Sequence, residues 1–534
     1  TETPSGGFTV AWRELRYDTD CRRFVFSVGV SPSNRRQWKD NDNGISAVEE
    51  ASEALATVCS TPIDDLVRRH RAWWHDYYRK SFFSLADRQL TSVYWIQLYK
   101  LASTARPRTP MIDNHGVWSV EPNYGFSTWD FNVQSTYRLH LTSNHVDFGN
   151  PLISFLRKNF NRDTMYHRFF GELRAGIKQQ VFLRYRFFDI YGWEHAAHTP
   201  CEAPGKLLWA CHNMWLHYLH TADESLLRDL LPILEAGLNT MYAGMREEEG
   251  RLVIPCGKNW ENWEGRNPTG LLSIFNWALE TAIRVAEKLQ LDPEKITCWK
   301  HWRTKVAAYP CGPEGVYLGE GQPPVSHRHW THLLMLFPLD IWDLSDPDAR
   351  TVAEKSVDYW AQISAGLDGN TAQAFAPVAA IHLYAFLGHA EKIPRLADIY
   401  LHTHCGRGPG VWPNTMYREA GPVVETPLLF ADALQECCLQ TRENGIHIFP
   451  AVPEAWPDAV FRDWHAGGDF LVSAKRKEGE TQWVVIRSLA GNRQRFFIDM
   501  ASDAVKEVEN QHVILQPDGA LEVAVAAGEE IVLT

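Results

Sequence analysis

The sequence predicts a mainly α protein, an α/α toroid of paired helices flanked by β-structure at both ends. Three observations carry this. An apolar period of helical type runs from about residue 130 to 440, long loops rich in Gly, Pro and Trp interrupt it at 111–129, 250–270 and 403–426, and short alternating segments open and close the chain. With 534 residues, 45% of them apolar, the chain can bury a large core and hold two or three domains.

The elements follow in order. Residues 9–12 and 23–30 alternate and are rich in β-branched side chains, so they read as strands; two strands cannot hold a sheet alone, and residues 1–50 read as the remnant of a larger N-terminal β-domain. Residues 51–104 turn helical, with Ile63, Leu66, Trp73, Trp74, Tyr77 and Tyr78 on an apolar face, and form a helical linker. Within 105–444, helices are predicted at 131–141, 149–160, 206–220, 224–242, 271–290, 328–338, 350–364, 372–388, 391–402 and 427–440. In the fifth, Ala278, Ala282, Val285, Ala286 and Leu289 form one stripe that needs a neighbouring helix. Loops as long as the three above are usually functional inside a helical domain. From 445 to 534 the pattern is an antiparallel β-sandwich, with strands at 470–474, 482–488, 494–499, 513–515 and 521–525 separated by Glu478-Gly479, Gly491-Asn492 and Asp518-Gly519 turns.

Composition narrows the chemistry. Trp is abundant, 22 against 18 Tyr and 25 Phe, and indole offers a flat platform for the apolar face of a sugar ring; filling gaps between helices is its plainer use. A net charge of −12 without a basic cluster argues against nucleic acid and against polyanionic partners. The ten Cys show neither a C-x-x-C pair nor zinc spacing, which points to free thiols and favours a reducing, cytoplasmic setting. No apolar run reaches membrane-spanning length and no signal peptide is visible, but the chain opens at Thr1 without Met, which leaves room for a removed segment and export. No phosphate loop, dinucleotide fingerprint or G-x-S-x-G is present, and no cofactor is expected.

Hydrolysis of a glycosidic bond needs two carboxyl groups, one protonated toward the leaving oxygen and one ionised to activate water or attack carbon. The loop Asn259-Trp260-Glu261-Asn262-Trp263-Glu264 supplies one, since flanking indoles desolvate a carboxyl and raise its pKa; Glu261 or Glu264 is the candidate acid, against an ordinary solvated-loop role. Glu425 lies in the apolar run Gly421-Pro422-Val423-Val424-Glu425-Thr426-Pro427, where a lone carboxylate either serves a site or sits at a helix N-terminus. Asp130 and Asn132, two apart after Trp129, can reach one cavity, although Asp130 also suits helix capping. The cluster His327-Arg328-His329-Trp330-Thr331-His332 has no carboxylate or Cys at ligand spacing, so hydrogen bonding to sugar hydroxyls is preferred to metal binding.

From about 62 to 491 the chain resembles glycoside hydrolase family 95, the inverting α-L-fucosidases and α-L-galactosidases. Phe131-Asn132-Val133-Gln134 is similar to the family's N-x-N-x-Q motif, with Asp130 in place of the first Asn. Leu208-Trp209-Ala210-Cys211-His212-Asn213-Met214-Trp215 resembles its A-W-L-x-x-H-x-W helix, and 327–333 its H-R-H-x-S-H-L. Residues 446–456 resemble its entry into the C-terminal β-domain.

The resemblance implies a six-hairpin (α/α)6 barrel and an exo-acting inverting hydrolase. Glu261 matches the general acid, Asn132 the Asn that holds the nucleophilic water, and Glu425 falls where the family has its catalytic Asp. Trp129, His212, His329, His332, Trp260 and Glu264 are the expected substrate contacts. Glu for Asp lengthens the base by a methylene, and Asp130 adds a charge that can itself act as base. The near absence of the family's N-terminal β-domain leaves fucose specificity open. A glycoside phosphorylase on the same barrel, or a catalytically silent carbohydrate-binding protein, are the alternative readings.

Overall fold

The structure, a computed structural model, describes residues 8–16, 22–30, 46–106, 111–118, 128–129, 131–159, 201–259, 263–291, 293–364, 367, 375–402, 404–405, 408–418, 422–500 and 513–534. It divides into two compact units, residues 1–80 and 81–534.

In the first unit, β1 (Phe8–Arg16) and β2 (Arg22–Val30) form an antiparallel hairpin in which Val10 faces Val28 and Trp12 faces Phe26. Helix α1 (Ala47–Ser60) starts with a capping box: Ser46 accepts from the Glu49 N–H while the Glu49 carboxylate takes the Ser46 N–H. A Cβ at Gly29 would lie 2.1 Å from the Ala47 carbonyl oxygen, so strand and helix approach as only Gly allows. Helix α2 (Ile63–Arg79) follows.

The second unit begins with β3 (Phe82–Leu85) and α3 (Arg88–Thr104), whose first N–H groups are capped by Asp87. The helices that follow are α4 (Asn132–Thr136), α5 (Leu139–Thr142), α6 (Asn150–Asn159), α7 (Glu202–Thr221) and α8 (Ser225–Gly244). After a short hairpin of β4 (Gly257–Asn259) and β5 (Trp263–Gly265) come α9 (Thr269–Lys288), α10 (Pro293–Lys305), α11 (Pro347–Ile363), α12 (Phe375–Leu387), α13 (Ile393–His402) and α14 (Glu425–Cys438). Chain neighbours pack as pairs, α7 with α8, α9 with α10 and α12 with α13, while α14 packs on α12, α3, α4 and α5.

Burial separates an inner from an outer set. Every residue of α12 is buried, and every residue of α14 except Glu436, whereas α10 buries only Trp299 and α13 only Ile393, Leu396, Ala397 and Tyr400. Outer helices therefore bury one stripe, whereas inner ones are buried on nearly every side, polar residues included.

Three expectations need correction. Residues 328–338 form no α-helix: a 3-10 turn at Thr331–Leu333 gives way to irregular turns, with Trp330 Nε1 donating to the Phe337 carbonyl. Residues 330–336 are all buried, and a short buried apolar run cannot be told from a helix by period alone. Helix α10 was not foreseen, because its apolar stripe is narrow. Within the supposed helical linker, Phe82–Leu85 is a strand.

That strand completes the C-terminal β-structure. Beyond α14 lie β6 (Leu439–Arg442), β7 (Gly445–Ile448), β8 (Ala459–Ala466), β9 (Phe470–Lys477), β10 (Glu480–Ser488), β11 (Arg493–Ile498), β12 (Val513–Leu515), β13 (Leu521–Ala524) and β14 (Glu530–Leu533). They form two five-stranded sheets, ordered β6-β7-β11-β13-β12 and β14-β10-β9-β8-β3. Only β7 and β11 pair in parallel. Alternate residues of β9, Phe470, Val472 and Ala474, face the core, as the period-two pattern requires. Among the described residues no helix is long and apolar enough to cross a membrane.

Candidate active site

Asn132, first residue of α4, and Glu425, first residue of α14, lie 293 residues apart in sequence and meet in the interior: Asn132 Nδ2 donates to Glu425 Oε1 at 3.0 Å. Glu425 is 0% exposed and Asn132 5%. A carboxylate at the first turn of a helix is stabilised by the macrodipole, which favours its ionised form.

The backbone around the pair is tightly held. Phe131 has φ +76° and ψ −46°, a strained combination for a residue with a side chain, and its ring fills a buried slot against Trp209 (4.8 Å between centroids), His329 (4.4 Å) and Trp330 (4.5 Å). Asn213 of α7 donates to the carbonyls of Gln134 and Tyr137, closing the C-terminal end of α4. The residue before Glu425 is pinned on both sides: the Val424 N–H bonds the Asn114 carbonyl, and Val423 pairs with Tyr417. Tyr417 belongs to a turn in which Thr415, at φ +62°, receives hydrogen bonds from Gln97 and from the buried Lys100, each at 2.8 Å. Burial lowers the Lys100 ammonium to about 7. Behind Glu425, Tyr400 has its hydroxyl pushed far up by burial, with the charges of Tyr417 and Glu425 adding to the effect.

His329 stacks on Phe131 and meets the ring of Phe375, first residue of α12, at 6.1 Å. The first residues of α4 and α14 and the first described residue of α12 thus gather at one end of the helical body, where the dipole of α14 favours negative charge. His332 is buried, and burial lowers its imidazole to about 3, so it is neutral. Neither of its ring nitrogens has a hydrogen-bond partner among the described residues, and the same holds for the hydroxyls of Thr331 and Thr426 and for Asn259 Nδ2. Buried polar groups of this kind need a partner, and sugar hydroxyls supply both donors and acceptors.

Other expected contacts take different places. His212 lies on α7, edge-on to Trp277 at 5.1 Å; burial, aided by the charge of Arg138, lowers it to about 3. Trp129 is buried against Phe155, and its carbonyl accepts from Gln134. Glu264 is exposed on β5 and accepts a hydrogen bond from the Cys256 thiol at 3.6 Å, so the desolvation expected from its indole neighbours does not occur. Its hairpin partner strand ends at the fully buried Asn259, whose side chain caps the Gly270 N–H at the start of α9. Asp130, Trp260 and Glu261 lie outside the described residues.

Behind the site, α14 is clamped to the α4–α5 connection. Arg138 Nε pairs with Asp432 Oδ2 at 2.7 Å and Nη2 with Glu436 Oε1 at 2.8 Å, and His382 Nε2 meets Asp432 Oδ2 at 3.0 Å. Burial raises the Glu436 carboxyl to about 7 in spite of Arg138. For Asp432, burial works in the same direction, but Arg138 and the His382 hydrogen bond outweigh it and hold the carboxyl below its usual range.

Phe131, Lys100, Tyr400 and the Arg138 network were not foreseen from sequence. Only the unusual richness of the Trp129–Gln134 stretch hinted at the first; the others depend on contacts between distant segments. Among the described residues no group of three His, Cys, Asp or Glu side chains is placed to hold a metal ion, and Cys59, Cys201, Cys211, Cys256, Cys298, Cys311, Cys437 and Cys438 are free thiols.

Comparison with known proteins adds to this picture. The model of the glycosyl hydrolase family 95 catalytic domain matches residues 71–422. Alpha-L-fucosidase 2 of Arabidopsis thaliana is 22% identical over 430 residues, covering 71% of this chain and 47% of its own length, so the chain spans about half of that relative. Among solved structures, a putative kojibiose phosphorylase from human microbiome superposes over 100% of this chain and 75% of its own, with a TM-score of 0.66 and 11% identity. A native alfa-L-rhamnosidase from Aspergillus terreus covers 85% of this chain and 50% of its own, with a TM-score of 0.50 and 12% identity. At such identities these structures speak to the fold alone.

Proposed function

Because the chain belongs to glycoside hydrolase family 95, we propose that it is an exo-acting, inverting glycoside hydrolase that removes a terminal α-L-fucoside, α-L-galactoside or related sugar from an oligo- or polysaccharide. The observation that carries the reading is the buried Asn132–Glu425 hydrogen bond, formed between the two motif positions that the family resemblance singles out. In this mechanism Glu425 is the base. Its position in the first turn of α14 favours the ionised state, and Asn132, by donating to Oε1, fixes the carboxylate that holds the water. The water attacks the anomeric carbon as its proton passes to Glu425, while Glu261, as acid, protonates the departing oxygen from the opposite face. The exposed Glu264 lacks the desolvation an acid needs, which favours Glu261 for that role. His329 and His332 would bind the sugar hydroxyls.

We read the helical body as a six-hairpin (α/α)6 barrel. The pairing of neighbouring helices, the alternation of inner and outer ones and the whole-chain likeness to a phosphorylase structure support this.

A glycoside phosphorylase on the same fold is the second reading. One experiment separates the two: α-L-fucosyl and α-L-galactosyl substrates are incubated with and without inorganic phosphate, and the first-formed product is read by proton NMR. Hydrolysis predicts free sugar of inverted configuration in both cases, with Glu425→Gln inactive on every substrate. Asn132→Ala should lose about 10- to 150-fold in kcat/KM, the worth of a hydrogen bond to a charged group. A sugar phosphate formed only with phosphate would establish the second reading. Ligand binding without turnover under either condition would leave a silent carbohydrate-binding protein.

A further inference from the structure

A cleft lies at the other end of the helical body. Glu425 opens α14 and Cys438 closes it, a helix length of about 20 Å. Immediately beyond that far end, Arg442, Glu443 and His447 form one wall of a cleft of about 700 Å³. The last turn of α12 contributes Phe386, whereas its first residue, Phe375, meets His329 at the opposite end. The cleft is therefore separate from the Glu425 site.

Its chemistry is that of a polyol binder. The lining charges are largely paired within the protein: Arg284 bonds both Glu280 and Glu443, Arg303 reaches Glu280 at 3.1 Å, and Arg495 pairs with Asp518. Such pairs present donors and acceptors in fixed planes with little net charge, a match for hydroxyl groups rather than for a phosphate or a charged peptide. Arg442 makes no ion pair among the described residues; it stacks on Phe386 at 4.3 Å and donates to the Phe386 carbonyl and to Gln440 Oε1, so the end of α12 meets its charge. Asp343 accepts from Ser345 on one oxygen, and beside it the half-buried Trp342 supplies an indole to the same wall. An indole flanked by planar polar groups in a cleft of this size suits the apolar face and the hydroxyls of a sugar.

We propose that this cleft is an accessory carbohydrate-binding site that holds a neutral segment of a polymeric glycan, away from the terminus being cleaved. The proposal rests on the glycoside hydrolase reading for its biological sense, but binding is measured without turnover. The full chain is run by affinity electrophoresis in gels containing xyloglucan, a neutral fucose-bearing polysaccharide, or polygalacturonate, an acidic one. Wild type should be retarded by xyloglucan, and Trp342→Ala should bind roughly tenfold more weakly, the loss of one stacked ring. Asp343→Asn, which keeps the side-chain shape, provides a second variant with an expected weakening in the same direction should Trp342→Ala fail to fold. Hydrolysis of a small aryl α-L-fucoside should be unchanged in both. Retardation by polygalacturonate alone, no retardation at all, or equal retardation of wild type and both variants would each overturn the accessory site. If the retardation depends on Trp342 but no glycoside is cleaved, the hydrolase reading fails and the cleft stands.

Discussion

Replacing Arg138 with Met tests whether the clamp behind the site holds the proposed catalytic geometry together. Arg138 is 11% exposed and Asp432 4%, so the change removes a buried cation and leaves two carboxylates, Asp432 and Glu436, facing each other on α14. Breaking a buried pair in this way costs about 3–5 kcal/mol. For a chain of 534 residues the unfolding entropy is about 1.1 kcal/mol/K, so the melting temperature should fall by about 3–5 °C. The loss should grow with pH. Glu436 has its folded pKa raised to about 7, above its unfolded value, so its ionisation costs stability as pH rises through about 7. Asp432 has its folded pKa lowered, so it contributes stability above its unfolded value near 4 and loses it as pH falls. Without Arg138 the Asp432 contribution disappears and Glu436 is pushed further up, so the variant should be least impaired near pH 6 and most impaired near pH 9. Differential scanning fluorimetry across that range measures it. Because the clamp joins the segment after Asn132 to the helix that begins at Glu425, kcat should fall as well, on the order of 10- to 100-fold for a displacement approaching 1 Å. A drop of less than 1 °C, or one independent of pH, would refute the account.

Two further outcomes are expected. His332→Ala removes a buried imidazole proposed to bind sugar hydroxyls and should lower kcat/KM by roughly tenfold or more, whereas unchanged kinetics would return that histidine to a packing role. A second group of histidines, His140, His217 and His220, is buried, and burial depresses all three, His217 to about 4 and His220 to about 3. Their folded pKa values lie below the unfolded one, so their contribution is complete above about pH 6.5 and is lost as pH falls toward 4. His140→Phe should therefore raise the melting temperature at pH 5 relative to wild type more than at pH 8, and an equal effect at both values would count against it.

The sequence revealed elements with a solvent face through their period, and the fully buried α12 through the length of its apolar run. Stripes on residues such as Ala278, Ala282 and Val285 locate α9, and alternation locates β9 and β10. The segment 330–336 is also buried throughout, and its short apolar run reads as helix like that of α12 although it forms irregular turns. The meeting of Asn132 and Glu425, on which the proposed site rests, was legible because motif positions named both residues. Groups that matter through long-range packing, Lys100 against Thr415 or Arg138 against Asp432, leave no local trace, because the sequence around each partner is indifferent to the other. Glu264 shows the converse: Trp neighbours in sequence do not bury a carboxyl when the strand turns it outward.

The pairing of β3 with β8 sets the order of assembly. Ala459 opposes Leu85 across a stretch of several hundred residues that includes all the helices from α3 to α14, so the edge strand of this sheet leaves the ribosome about 20 s to over a minute before its neighbour. During that interval Phe82–Leu85 has no strand to pair with, and the helical body grows between the two halves of one sheet. A fragment cut at the visible change of character near residue 445 would carry β8 with an uncovered edge, which is an invitation to self-association. Anyone dividing this chain for expression should keep residue 81 and residue 534 in the same polypeptide.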